Sequence, residues 1–346
     1  MANNDLHLIT GGSGFVGSHI ARQLLAKKQN ILLTDIWQND EFKDHFAYLD
    51  VTDKAAVDKV MKHVTHIHHN AALVPLAKAG KKFHEVNVVG TKNIIDMGFK
   101  HNIKMLCNMS SSAIFGLAKT MPILPNAPLQ PIEQYGKAKA DADKLVQQAM
   151  KDGLPACLIR PRTVIGKERL GIFEILFDWI KDDANIFIIG KGNNLFQFVQ
   201  VEDLANVSVR ASLLKKSGLF NVGGLPFGCL RHDLEAFIKK VGAKSKVISL
   251  PIGLAKLVLL TADKLKLSPL GPWHYLSYHK DFYYDITHIT KALGWQPKYG
   301  NVDMMVDSYR WYLKNYSSFD KTHQSTHRKP VPRGILSLAK QASKIF

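Results

Sequence analysis

The sequence predicts a Rossmann-type, doubly wound α/β fold: a parallel sheet covered by helices on both faces, with a smaller C-terminal lobe. Three observations predict it. A short apolar run at residues 6–9 enters a glycine-rich turn that opens directly into a helix. A second strand, at 30–34, ends in Asp35. Strand and helix signals then alternate through the first half of the chain.

In the first unit, Phe15, Val16, Ile20, Leu24 and Leu25 recur at helical spacing, so the turn leads straight into a helix. Gly11, Gly14 and Gly17 each stand where a Cβ would interfere: in a tight turn, beside a pyrophosphate, and between helix and strand. The helix N-terminus, with Phe15 and Val16 in its first turn, offers free N–H groups and a positive dipole end to phosphates. Asp35 suits a ribose diol, since a carboxylate accepts from both hydroxyls, and it would repel a 2′-phosphate. NAD is therefore expected over NADP.

The strand at 46–49 ends at Asp50 and Val51, which are placed to approach an adenine ring, and Thr52 or Asp53 caps the helix that follows. The next strand carries His66, His68 and His69, but no carboxylate or cysteine completes a ligand set and no metal is expected. Asn70, Ala71 and Ala72 after it form a second close approach to the cofactor. A periodic helix then places Val86, Val89, Ile94 and Met97 on its apolar side; within it, Asn87 is either a buried polar residue satisfying backbone or a relay in the site. The strand at 103–110 delivers Ser110, Ser111 and Ser112 to the carboxyl end of the sheet, where ligands of such sheets collect.

In the helix that follows, Tyr135 and Lys139 stand four apart and share a face. A phenol is a poor base near neutrality, with a reference pKa of about 10. A neighbouring ammonium and an oxidised nicotinamide both favour the phenolate, which makes Tyr135 a credible general acid/base. Ser112 would hold the substrate oxygen beside it.

Composition sets the remaining bounds. At 346 residues and 46% hydrophobic, the chain can bury a large core. A net charge of +17 points to an acidic partner, yet no nucleic-acid motif exploits it. Three well-separated cysteines, Cys107, Cys157 and Cys229, suit a reducing compartment, and a cytoplasmic location is expected. The first apolar run is used as a strand rather than a signal peptide, and no uncharged apolar run is long enough to span a bilayer.

As a set, TGGSGFVG, Asp35, the DV at Asp50, the NAA at Asn70, the NVVGT at Asn87, SSSAIFG, YGKAK, LIRPRTVIG, FVQVEDLA, FNVGG and ITKALGWQP cover residues 5–315. In that order they resemble an extended short-chain dehydrogenase/reductase of the NAD-dependent epimerase/dehydratase and 3β-hydroxysteroid dehydrogenase superfamily. The resemblance implies catalysis by Ser112, Tyr135 and Lys139, with Asn87 counted beside them, and Lys139 also holding the nicotinamide ribose. Pro161 ends a strand over the nicotinamide, with Arg162 and Thr163 lining the way to substrate. Homodimerisation through the helices around Asn87 and Tyr135 is a family expectation.

The substrate half is less determined. Lys167 and Arg169, at the entrance of an amphipathic helix near 168–183, either bind a phosphate or are solvated. UDP-galactose 4-epimerases resemble the chain here but carry an asparagine where Thr163 stands, a tyrosine where Phe115 stands, and a diphosphate-binding arginine on the strand whose counterpart is Leu195, Phe196 and Gln197. The apolar stretch 254–267 and the aromatic run after it resemble sterol-dehydrogenase relatives. Alternatively, 254–267 is ordinary lobe core. The leading expectation is an NAD-dependent oxidoreductase acting on a secondary alcohol or ketone of an apolar, lipid-like small molecule. The alternative is a nucleotide-sugar epimerase or dehydratase. Residues 1–165 would bind NAD, completed by a strand near 218–223, and 166–316 would mainly form the substrate lobe. Residues 317–346 read as a basic linker and amphipathic tail: Ile335, Leu338, Ala339, Ala342 and Ile345 or Phe346 share one face, with Lys340 and Lys344 outside it. Such a tail either lies on an anionic membrane as a peripheral contact or docks on its own domain or on a partner.

Overall fold

The computed structural model describes residues 5–77, 79–265, 272–319, 327 and 334–344. Six strands arise in the first half: β1 (Leu6–Thr10), β2 (Asn30–Asp35), β3 (Phe46–Tyr48), β4 (His66–His69), β5 (Met105–Met109) and β6 (Ala156–Pro161). Four of the next five are short: β7 (Thr163–Ile165), β8 (Ile186–Ile189), β9 (Phe198–Gln200) and β11 (Val247–Leu250); β10 (Gly218–Val222) returns to the main sheet. That sheet has seven parallel strands in the order β10-β6-β5-β4-β1-β2-β3. The order reverses between β1 and β4. Strands on either side of that point lead away from each other, which opens a crevice beyond their carboxyl ends.

Both faces of the sheet are covered, so its central strands are buried on both sides rather than alternating between core and solvent. Leu8 and Ile9 on β1, Ile67 on β4, Leu106 on β5 and Leu158 and Ile159 on β6 are fully buried. Cys107 and Cys157 are register partners on adjacent strands, both free and buried, while Cys229 is half-buried. The histidines of β1 and β4 are packed into the same layer: the His7 ring stacks on His66 and His68, with centroids 4.6 and 5.5 Å apart. His68 also shares a hydrogen bond with Ser208, and His69 with Thr10 and Thr91. Burial pushes the His7 pKa down to about 4 and that of His69 down to about 3. Among the described residues no group of three or more His, Cys, Asp or Glu side chains could hold a metal ion.

Two elements bear on the sequence reading. Of the two readings of 254–267, ordinary lobe core does not fit the helix Ile252–Lys264: Leu254, Leu257 and Val258 are more than half exposed, and among its described side chains only Ala255 and Ala262 are buried. The tail helix Gly334–Ser343 turns Lys340 inward rather than outward. Its ammonium pairs with Asp178 and, at 2.7 Å, with Asp182, at the end of the helix Ile172–Lys181, and Asn185 donates to the Ser343 carbonyl. Ala339 packs on the core and Ala342 is exposed, because two carboxylates offer the lysine more than water does. Ile345 and Phe346 lie outside the described residues. No helix among those described is long and apolar enough to cross a membrane.

Candidate active site

A cleft of about 410 Å³ lies beyond the carboxyl ends of β1, β4, β5 and β6. Its floor is the turn after β1. Gly11 has φ +63°, and a Cβ there would sit 2.7 Å from the Ala71 backbone nitrogen; a Cβ on Gly17 would sit 2.3 Å from the Gly11 carbonyl oxygen. Neither position tolerates a side chain, so the turn, the helix Phe15–Ala26 and the segment after β4 are pressed together. Gly14, Phe15 and Val16 face the same cleft from the helix entrance.

Asp35 lines the cleft at the end of β2 and accepts from the N–H groups of Ser13 (3.2 Å) and Ile36 (2.8 Å). Burial pushes its pKa up to about 6, against the lowering effect of those two bonds. Asp50 and Val51 lie nearby, and one Asp50 oxygen also accepts from both the N–H and the hydroxyl of Thr52. Asn70, Ala71, Ala72 and Pro161 line the same space.

Asn87 does not line it. Its amide accepts from the Leu73 N–H at 2.8 Å and donates to the Leu73 carbonyl at 3.0 Å, so both ends are committed to backbone. A π-helical stretch, Glu85–Val89, leads into the helix Gly90–Lys100 at this point and rotates Asn87 off the simple helical pattern. Of the two readings of Asn87, the structure places it as a buried polar residue that clamps the segment after Ala72.

Tyr135 and Lys139 both reach the cleft from the helix Gln134–Lys151. The serine that acts on the phenol is Ser111; the Ser112 hydroxyl accepts from Arg162 Nη1 at 3.3 Å and acts on the Tyr284 phenol instead. Burial pushes the Tyr135 pKa up to about 12; Ser111 opposes this, Glu133 adds to it, and the Arg169 guanidinium opposes it. Lys139 donates to the Met109 carbonyl, and burial brings its pKa down to about 8 although the Asp143 carboxylate raises it. Asp143 is held by Arg160 through bonds of 2.6 and 2.9 Å, in a pair that is almost wholly buried, and accepts from Ser110 at 2.6 Å.

The two cations near 168 part company. Lys167 is about half exposed and pairs loosely with Asp307 at 3.4 Å, whereas Arg169 lines the cleft with its guanidinium over the Phe15 ring, 5.8 Å from the centroid. Tail residue His327 also lines it: its carbonyl accepts from the Leu170 N–H at 2.8 Å, and its ring meets Phe15 edge-on. Nothing in the sequence of the tail points to that position.

These residues fit a dinucleotide. Among the described residues, Asn70 Oδ1 and the Nε and Nη1 of Arg169 are buried without a hydrogen-bond partner, and all three belong to side chains around the glycine turn. A diphosphate and a ribose would supply the missing partners.

Fold and site together define a dinucleotide-dependent enzyme with a Tyr–Lys pair on one helix. Residues 7–223 match the model of the NAD dependent epimerase/dehydratase family. The uncharacterized protein y4nG of Sinorhizobium fredii is 37% identical over 342 residues, covering 98% of this chain and 86% of its own length. A UDP-glucose 4-epimerase of Lactobacillus helveticus is 27% identical, covering 90% of this chain and 98% of its own. Among solved structures, Bordetella bronchiseptica WbmG in complex with NAD superposes with a TM-score of 0.73 at 20% identity (90% and 95% covered), and Thermotoga maritima UDP-glucose 4-epimerase with UDP-glucose with 0.74 at 19% (90% and 99%). The chain belongs to the NAD dependent epimerase/dehydratase family. Its cofactor is NAD.

Proposed function

We propose that the protein is a nucleotide-sugar epimerase or dehydratase, working by reversible hydride transfer at a secondary alcohol or ketone with Tyr135 as general acid/base. The observation that carries this reading is the phenol of Tyr135, acted on by Ser111 and Arg169 in the cleft that Lys139 also lines beside the glycine turn, in a chain 27% identical to a UDP-glucose 4-epimerase over 90% of its length. Bound NAD supplies the hydride acceptor and donor. The protein's own residues handle the proton and the orientation. Tyr135 passes the proton to and from the substrate oxygen, and Ser111 orients that oxygen in the role the sequence assigns to Ser112. Lys139 and Asp35 hold ribose hydroxyls, and Asn87 positions the wall at Leu73 without touching the reacting atoms. Residues 1–165 serve mainly for NAD and 166–316 mainly for substrate. A homodimer through the helices at Asn87 and Tyr135 belongs to the same proposal.

Purified protein supplied with NAD and UDP-glucose or UDP-galactose should interconvert the epimers without accumulating NADH. Tyr135→Phe should lower turnover by about 100-fold or more, and Ser111→Ala should cost more than Ser112→Ala. A second reading, oxidation of an apolar secondary alcohol, draws support from the exposed leucines of the helix Ile252–Lys264. NADH accumulating from such an alcohol, with no epimerisation of any UDP-sugar, would move the assignment there. The docking of Lys340 favours intramolecular packing of the tail over peripheral contact with an anionic membrane.

A further inference from the structure

Two guanidiniums line the cleft without a carboxylate partner among the described residues: Arg162 and Arg169. A buried cation ordinarily carries a counter-charge, and this chain can provide one. Arg160, two residues before Arg162, has its fork filled by Asp143 and its remaining Nη1 by the Pro125 carbonyl. Arg162 is as deeply buried, 1% exposed, yet among the described residues its Nε and Nη2 have no partner and Nη1 reaches only the neutral Ser112 hydroxyl.

Position separates the two vacancies. Arg169 stands over Phe15 in the first turn of the glycine-loop helix, where cofactor phosphates belong. Arg162 follows Pro161 on the lobe side, with its guanidinium carbon 4.1 Å from the Phe282 centroid, 4.9 Å from that of Phe196 and 5.9 Å from that of Tyr284, and only the Tyr278 phenol acts on both guanidiniums. The aromatic faces fix the plane of the fork and lower the cost of holding the charge away from water. They satisfy none of its N–H donors. Phe196 belongs to the strand segment that supplies no cation of its own, so Arg162 brings positive charge to that wall. Burial lowers its pKa only to about 10, and it stays charged at neutral pH.

We propose that Arg162 is the receptor for an anionic group of the substrate, a carboxylate or a phosphate, at the lobe end of the cleft. The inference rests on the nucleotide-sugar reading for its choice of ligands, but its readout is binding, which is separable from turnover. NAD-loaded full-length protein, wild type and Arg162→Met, is titrated calorimetrically with UDP, UDP-glucose and UDP-glucuronate. Loss of a charge-assisted fork should weaken the anionic ligand about tenfold or more, and Arg162→Lys should recover part of it. An equal loss for all three ligands assigns a phosphate; a loss specific to UDP-glucuronate assigns a sugar carboxylate. Equal affinities in wild type and Arg162→Met for every ligand overturn the proposal. Should Arg162→Met fail to fold, phenylglyoxal labelling of Arg162 in the wild type, read by peptide mass, decides: slowing by UDP, UDP-glucuronate, inorganic phosphate or acetate supports it, and an unchanged rate with all four refutes it. If phosphate or acetate protects while no UDP compound binds, the nucleotide-sugar reading fails and the anion site stands.

Discussion

NAD affinity should be confined to a pH window set by two residues of the cleft. Asp35 is raised to about 6 by burial, so its carboxylate, the form that accepts from two ribose hydroxyls, is lost as pH falls through that value. Lys139 is lowered to about 8 by burial, so its ammonium is lost as pH rises through 8. At pH 5 about one Asp35 in eleven remains ionised, and at pH 9 about one Lys139 in eleven remains charged. Each hydrogen bond to a charged group contributes about 1.5–3 kcal/mol, so protonation sets the limit and affinity should drop about tenfold at either extreme relative to pH 7. Calorimetric titration of NAD from pH 5 to 9 reads both limbs. Asp35→Asn should flatten the acid limb alone, and Lys139→Met the alkaline limb alone. An affinity unchanged between pH 5 and 7 in the wild type would refute the role given to Asp35.

Three further outcomes are expected. Asp143→Asn leaves Arg160 buried and uncompensated, which should cost about 3–5 kcal/mol in urea unfolding; it also removes the carboxylate that raises the Lys139 pKa, so the alkaline limb should move to lower pH. His7, His68 and His69 are kept neutral by burial, their pKa values below the usual 6.5, so the unfolded chain binds more protons below that value. Stability should be complete above pH 6.5 and fall toward pH 4, by about 1 kcal/mol per histidine between pH 7 and 5.5; a urea midpoint constant over that range would contradict it. Lys340→Ala removes the pairs that tie the tail to Asp178 and Asp182, and a loss of about 1–2 kcal/mol, between surface and buried pairs, should appear as a lower Tm with faster proteolysis near residue 334.

Much of this site is legible in the chain because its residues obey a period or end an element. The glycine turn, Asp35 at the end of β2, and Tyr135 and Lys139 one turn apart fall into that class. Ser111 and Ser112 do not: three consecutive serines in a turn carry no periodicity, and only the extended φ and ψ of Ser111, −162° and 152°, aim its side chain differently from its neighbour's. Asn87 escapes for a related reason, since one π-helical insertion shifts the register that residue spacing assumes. Lys340 and His327 depend on where the tail returns, and neither composition nor spacing encodes a contact across 162 residues. Arg162 is expected along the way to substrate, but spacing does not tell that the neighbours of its guanidinium are aromatic rather than acidic.

The paired thiols of β5 and β6 give the molecule a built-in reporter. Cys107 and Cys157 sit side by side in the middle of the main sheet, whereas Cys229 lies at the entrance of the lobe helix Leu230–Val241. An alkylating reagent should therefore modify Cys229 within the folded protein and reach the other two only when the sheet itself separates. Their lag behind Cys229 then clocks the opening of the core, and ligands that slow it can be ranked without introducing a label.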